Sequence, residues 1–398
     1  MGRDASLAEL TPPRPGTRDE LATPVPPAKK GRRAPLWAKA FIAMGAVLVV
    51  GSTGTVAAGK LIAKRYEGSV QRDDLLGAAA PAAKEPAKVN GPLTFLVMGS
   101  DSRAGDNFNP ETPDGSSAAV GGAPRSDTII MMHVPKTMDR AYVVSIPRDT
   151  YISIADKNGD PAGKNKINAA FAFGGAPRLV QTLNNFTGSK IDYPVIVDFS
   201  AVRKITDLVG GVDVVVDTQS YDEYRFMPKN TTYPTTPCID THGRKQRCLT
   251  FKKGPLHLDG QLAEYYVRQR TGLQNGDLDR AKRQQQFLRA LMSKAASGDM
   301  LTDPVKFDKF VRTVGGAITV DKRMPVNGLA FSLKKLRPAD LVFMTLPTAG
   351  FADVPGVGNV VRPNVAQSKE LFAAIDNGTM DQYLLKYPTA SNDVSHGS

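Results

Sequence analysis

The sequence predicts an α/β fold: a three-layer αβα-type sandwich with a mixed central sheet, preceded by one N-terminal transmembrane helix. Three observations carry this reading. Short apolar, β-branched runs bounded by Gly, Pro or Asp recur from Leu93 onward and alternate with segments of helical period. A run of 20 uncharged residues, 40–59, stands ahead of them. The chain has 398 residues and is 41% hydrophobic, which suffices for a buried core in one large domain or two ordinary ones.

The elements follow in order. Residues 1–36 are rich in Pro, Ala and charge and show no apolar period, so the sequence predicts a disordered tail. The apolar run 40–59 (AFIAMGAVLVVGSTGTVAAG) spans roughly 30 Å as a helix, the thickness of a bilayer core. Lys29, Lys30, Arg32, Arg33 and Lys39 crowd its N-terminal side, which favours a cytoplasmic N-terminus and an exported body in a single-pass cell-membrane protein. The expected layout is a cytoplasmic tail over 1–36, a membrane helix over 37–62, an Ala/Pro linker over 63–92, a folded domain over 93–385 and a C-terminal tail over 386–398.

Within the body, LTFLVMG (93–99), DTIIMMHV (127–134) and AYVVSI (141–146) read as buried strands. Helical periodicity follows over 167–183. A strand at 193–199, a helix at 201–209 and a strand at 212–217 come next. Asp259 is placed to cap a helix over 260–267, and LDRAKRQQQFLRALMSKAA (278–296) reads as a long helix with a basic face. A helix at 305–314, a strand at 341–347 and a last helix at 366–375 complete the list. Residues 218–253 read as an irregular excursion. Within it lie Cys238 and Cys248, for which an exported location favours a disulfide closing a small loop. Two unpaired thiols are the alternative.

The net charge of +12 suggests an anionic partner. Nucleic acid is not expected, because the basic tail has no interleaved aromatics and no binding motif is present. The four histidines are scattered, without zinc-ligand spacing, and neither a GxSxG elbow nor a P-loop occurs. Acids and arginines instead recur where strands end: Asp101 and Arg103 in GSDSR, Arg125 and Asp127 in RSDT, Arg148 and Asp149 in SIPRDT. Ligands of open α/β sheets bind at such strand ends. In YYVRQR, Arg268 and Arg270 would point the same way along an extended segment, whereas on a helix they would diverge. Arg280 and Gln284 share a helix face, and Arg283 lies off it and reads as surface charge. Arginine forks grip phosphate oxygens at two points, so this set suits a phosphate ligand.

The order FLVMGSDSR, RSDTII, SIPRDT, KINAAFAFGG, LVGGVDVVVD, LDGQLAEYYVRQR and DLDRAKRQQQ resembles the LytR–CpsA–Psr family of envelope proteins, over about residues 93–291. The Ala-, Pro- and Arg-rich linkers suit an actinobacterial source. The resemblance implies a phosphotransferase that moves a glycopolymer from a polyisoprenyl-pyrophosphate carrier to peptidoglycan through a phosphodiester. It implies that Asp101 and Asp127 hold Mg²⁺ (or Mn²⁺). It places Arg148, Arg268, Arg270, Arg280 and Gln284 around the pyrophosphate, with Arg103 and Arg125 beside them. Asp149 or Asp101 would take the acceptor proton, although orienting Arg148 suits Asp149 better. The implied partners are the lipid-linked glycopolymer, the peptidoglycan acceptor and membrane lipid. The carrier's tail would enter an apolar tunnel lined by KINAAFAF and FLRALM, unless those runs are simply core. An insert over 104–124 departs from compact members. A carrier-recycling hydrolase and a non-catalytic lipid-binding module stand as alternatives.

Overall fold

A computed structural model of the protein describes residues 70–81, 89–100, 126–198, 200–228, 231–239, 242–269, 272–295, 303–333 and 336–392. The expected membrane helix, both tails' outer residues and the 104–124 insert lie outside these. Among the described residues no helix is long and apolar enough to cross a membrane.

Seven strands form the central sheet: β1 (Gln71–Asp73), β2 (Leu93–Ser100), β3 (Ser126–Val134), β4 (Ala141–Ile146), β7 (Tyr193–Asp198), β13 (Ile318–Asp321) and β14 (Leu341–Thr345). Their order is β1-β13-β7-β2-β3-β4-β14. The β1/β13, β7/β2 and β4/β14 pairs are parallel and the other three antiparallel, so the sheet is mixed, as expected.

Alternation along these strands produces the layers, because successive side chains point to opposite faces. On β2, Leu93 and Phe95 enter one apolar cluster and Leu96 and Met98 the other. On β4, Ala141 and Val143 face the first, and Tyr142, Val144 and Ile146 face the second. The first face is covered by α2 (Ser200–Leu208), α3 (Gly260–Arg268), α4 (Asp277–Ala295), α5 (Pro304–Gly316) and α6 (Val326–Leu333). The second is covered by α1 (Ile167–Thr187), α7 (Val365–Asn377) and α8 (Met380–Lys386). Each fully buried Leu, Ile or Phe in these clusters contributes roughly 1.5–3 kcal/mol, which is what holds helices to both faces.

The tunnel expectation is corrected by this layering. Ile167, Ala170 and Phe171 of KINAAFAF sit in the second cluster, and Phe287, Leu291 and Met292 of FLRALM sit in the first. The sheet separates them, so they do not line one tunnel. Helix α1 also departs from a continuous period. It breaks at Gly174–Gly175, where Gly175 adopts φ 61°, a conformation open to glycine at little cost. Pro177 then falls near the start of the second segment, where its missing N–H costs least.

The described residues of 218–253 form regular strands, contrary to the expectation of an irregular excursion. Strands β9 (Ser220–Phe226), β10 (Thr235–Ile239) and β11 (Lys245–Phe251) form an antiparallel sheet in the order β10-β11-β9, and Cys238 is bonded to Cys248 across it. Strand β8 (Val212–Val216) pairs with β12 (Gly254–Leu258). Two hairpins the sequence reading left out, β5 (Tyr151–Ala155) with β6 (Pro161–Lys166) and β15 (Thr348–Val354) with β16 (Gly358–Pro363), flank the exit of β4. The long helix expected at 278–296 is α4, and Asp259 caps α3 by accepting from the Leu262 N–H.

Part of the segment read as a linker belongs to the body. β1 adds to the sheet edge, Leu75 and Leu76 are buried, and the wholly buried Asp321 carboxylate accepts from both their N–H groups at 3.0 Å. Arg323 donates to the same carboxylate through its backbone N–H and its guanidinium. Burial pushes this carboxyl up, but the bonds from Arg323 and Leu76 and the Arg323 charge outweigh it and leave it below the ordinary aspartate value. Its contribution is therefore complete above about pH 4 and is lost as pH falls through the lower folded value. Asp321→Asn is expected to lower stability by about 3 kcal/mol at pH 7. Urea midpoints at pH 7 and pH 3 check this: the gap between wild type and variant should shrink at the lower pH.

Candidate functional site

The strand ends that the sequence marked meet at one edge of the sheet. Register pairs Ser100 of β2 with Ser126 of β3 and with Asp198 of β7, and pairs Ile129 of β3 with Ile146 of β4. Asp101, which follows Ser100, lies outside the described residues, as do Arg103, Arg125 and Arg270. Asp127 belongs to β3 at the irregular step of the β2/β3 pairing. Ser100, which precedes Asp101 in the sequence, and Asp127 thus stand at the same end of two paired strands, and carboxylate oxygens are the donors that Mg²⁺ prefers. Among the described residues no group of three or more His, Cys, Asp and Glu is placed to hold a metal.

Beyond β4, Pro147 ends the strand and the chain turns tightly. The Pro147 carbonyl accepts from the Thr150 N–H at 3.0 Å and from its hydroxyl at 2.6 Å. The Arg148 and Thr150 carbonyls accept from Asn168 and Ile167 at the start of α1, and the Asp149 carbonyl accepts from Val361 of β16. The turn is therefore fixed by its backbone on two sides, which leaves its side chains in one place.

Arg148 and Arg280 share a carboxylate. Asp277, 5% exposed at the start of α4, has one oxygen 3.8 Å from Arg148 Nε and the other 3.2 Å from an Arg280 terminal nitrogen. Asp149, also buried, has one oxygen 3.8 Å from Arg148 Nε and the other 3.3 Å from Lys166 Nζ. The result is an alternating array, Lys166–Asp149–Arg148–Asp277–Arg280, drawn from β4's exit, β6 and α4. Asp149, Gly276, Asp277, Phe351 and Val361 line a cavity of about 240 Å³ beside it. Asp149 is engaged by two cations, which fits orienting Arg148.

Gln284, one turn beyond Arg280, donates to the Val267 carbonyl at 3.1 Å and so ties α4 to the last turn of α3. Arg268 occupies that turn, exposed and 3.1 Å from Glu264 four residues back. The alternation of an extended segment therefore does not govern Arg268, which corrects that part of the reading. Arg283 is the larger correction. It is not surface charge: it is 5% exposed and its guanidinium lies over the rings of Phe251 and Tyr266. Burial pushes the Arg283 guanidinium down from its usual range and pushes the Tyr266 hydroxyl up to about 12.

Lys166 and Asp277 were not among the sequence candidates. Asp277 was detectable in principle, because it opens DLDRAKRQQQ three residues before Arg280, the spacing at which side chains meet on a helix. Lys166 carries no such signal, since its contact with Asp149 is made by the β5–β6 hairpin. Gln285 anchors α4 in the same region: its amide donates to Ser145 Oγ and the Met344 carbonyl, and its oxygen accepts from Asn392.

Two substitutions test this geometry. Asp277→Asn removes the charge between two half-buried or buried guanidiniums and is expected to cost about 3–5 kcal/mol, read from urea unfolding. Gly272 has φ 72°, and a Cβ there would lie 1.9 Å from the Tyr221 carbonyl. Gly272→Ala is therefore expected to push the chain away from Tyr221 and lower Tm, read from thermal unfolding.

Comparison with known proteins agrees with this architecture. The profile of the LytR_cpsA_psr family matches residues 59–370. The probable cell wall biosynthesis protein LcpB of Corynebacterium glutamicum is 33% identical over 284 residues, which cover 71% of this chain and 60% of LcpB. The polyisoprenyl-teichoic acid–peptidoglycan teichoic acid transferase TagV of Bacillus subtilis is 34% identical over 214 residues, which cover 54% of this chain and 49% of TagV. The chain thus spans about half to three-fifths of the length of these curated relatives. The crystal structure of TagV superposes with a TM-score of 0.51 at 24% identity, covering 74% of this chain and 98% of that one. TagT bound to LIIa-WTA gives a TM-score of 0.51 at 22% identity, covering 76% and 95%. Both likenesses concern the fold. With its mixed sheet, its strand-end array and a match over most of its length, the chain belongs to the LytR_cpsA_psr family.

Proposed function

We propose that the protein is a phosphotransferase that moves a glycopolymer from a polyisoprenyl-pyrophosphate carrier to peptidoglycan, at the exported face of a membrane to which residues 37–62 anchor it. The array in which Arg148 and Arg280 share buried Asp277 carries the reading. Phosphoryl transfer needs positioned positive charge more than covalent chemistry, and an arginine held by a buried carboxylate has little freedom left to lose on binding a phosphate. TagV, similar to this chain, is by its name a polyisoprenyl-teichoic acid–peptidoglycan teichoic acid transferase, which supports the reading.

In this reading the guanidiniums of Arg148 and Arg280 bind the carrier's phosphate oxygens, with Arg268, Arg270 and Gln284 completing the surround. Arg103 and Arg125, from the same motifs as the metal positions, add to it. Asp277 and Asp149 orient the arginines, and Lys166 balances Asp149. A Mg²⁺ ion held by Asp101 and Asp127 would supply charge neutralisation at the pyrophosphate. An acceptor hydroxyl gives its proton to Asp149 or Asp101 as its oxygen forms a bond to the glycan-bearing phosphorus. The bond from that phosphorus to the bridging oxygen breaks, and the polyprenyl phosphate leaves. The arginines stabilise the charge that develops on the leaving oxygen.

The test uses the full-length chain in detergent, a polyprenyl-pyrophosphoryl glycan and peptidoglycan fragments, with products read by mass spectrometry. Glycan–peptidoglycan phosphodiester is expected, and Arg148→Ala should lower turnover at least about 100-fold. Release of free glycan phosphate regardless of acceptor would identify a hydrolase instead. Carrier binding without turnover under any acceptor condition would identify a binding module. Full activity in Arg148→Ala would overturn the proposed role of the array.

A further inference from the structure

The Arg283 guanidinium lies over two aromatic rings, 5.0 Å from the centroid of Phe251 and 4.6 Å from that of Tyr266. It donates to Gln269 Oε1 and, at 2.6 Å, to Ser220 Oγ, and the Ser220 hydroxyl donates in turn to Gln269 Oε1 at 3.2 Å. Gln269 is 1% exposed and Ser220 is buried, so the triangle is closed off from water. Gln269 is also where α3 ends: its N–H still bonds to Tyr265, but its ψ of 134° turns the chain out of the helix.

The physical question is why an arginine fills this slot. A buried ionic side chain is expensive, and an apolar side chain of similar volume usually serves stability as well or better. A methionine or leucine would also pack between Phe251 and Tyr266. What the guanidinium adds is direction: two donors aimed at Gln269 and Ser220 that lock one side chain in one orientation. That side chain stands between Arg268 and Arg270 in the sequence. Three residues further on, Gly272 lies against the Tyr221 backbone so closely that no Cβ fits. Gln269 and Gly272 are thus each held against the first two residues of β9, Gln269 to Ser220 and Gly272 to Tyr221.

We infer that Arg283 is a positioning residue, which acts through Gln269 to set the turn that ends α3, and so the presentation of Arg268 to the phosphate ligand. This rests on the proposed function, in that the ligand is a pyrophosphate. The side chain itself is buried beneath the turn and bonded to Gln269 and Ser220. Its effect on binding is therefore indirect, and it should be felt through Gln269 rather than through stability.

Calorimetric titration of the full-length chain with inorganic pyrophosphate in Mg²⁺ buffer tests it, with Tm measured in parallel. Arg283→Met should weaken pyrophosphate binding about tenfold or more while Tm changes little. Gln269→Ala should weaken it similarly, and the double variant should be no worse than either single one, because both act through one link. Arg283→Lys should recover part of the loss. If Arg283→Met fails to fold, Ser220→Ala, which removes one arm of the triangle, should show the same selective loss. Wild-type affinity in a folded Arg283→Met or Ser220→Ala, losses that multiply in the double variant, or a fall in Tm with unchanged affinity would overturn the inference. Failure of the wild-type chain to bind pyrophosphate would overturn the proposed function and the inference with it.

Discussion

A charged or polar group taken out of water has to be met by an opposite charge or by aligned donors and acceptors, and helix α4 meets this demand three times along its first turns. Asp277 is buried with Arg148 and Arg280 against it; Arg283 is buried with Gln269 and Ser220 against it. Gln285 reaches the opposite way, to β4 and β14. Because each partner comes from a different element, α4 can sit in only one rotation and one height on the sheet. The β4 exit, the end of α3 and the start of β9 are all referenced to it. Slide α4 by one turn and every one of these groups would be left buried without its partner.

The sheet underneath was largely legible from the sequence, because buried strands show themselves as short β-branched runs and the chain alternates them with helical periods. The runs at 93–99 and 141–146 and the long helix beginning near residue 278 all occur close to where the pattern put them. Legibility failed where an element is held by tertiary contacts instead of its own pattern. β1 has three exposed residues and no apolar signal, and it exists because β13 offers it a parallel edge. β10 and β11 carry polar residues on both faces near their turn and are ordered through each other and β9.

The site shows the same division. Arg148, Asp149, Arg280 and Gln284 were legible because they sit in compact motifs at strand ends or at helical spacing. Arg283 was misread because helix-face arithmetic was referred to Arg280 and Gln284 alone. It cannot reveal that β11 and α3 deliver Phe251 and Tyr266 to a second face of the same helix. Nor could composition show that two apolar runs of similar texture would end on opposite sides of the sheet.

The clasp at the sheet edge has a mechanical side. Three residue pairs between β1 and β13, together with the Asp321 carboxylate gripping Leu75 and Leu76, hold the first described residues to the folded body. Any tension arriving through that N-terminal chain enters the molecule there, at the edge of the sheet most distant in strand order from β4 and β14. Force applied there would therefore be taken up at β13 and β7 before it reached β4 and the turn that carries Arg148.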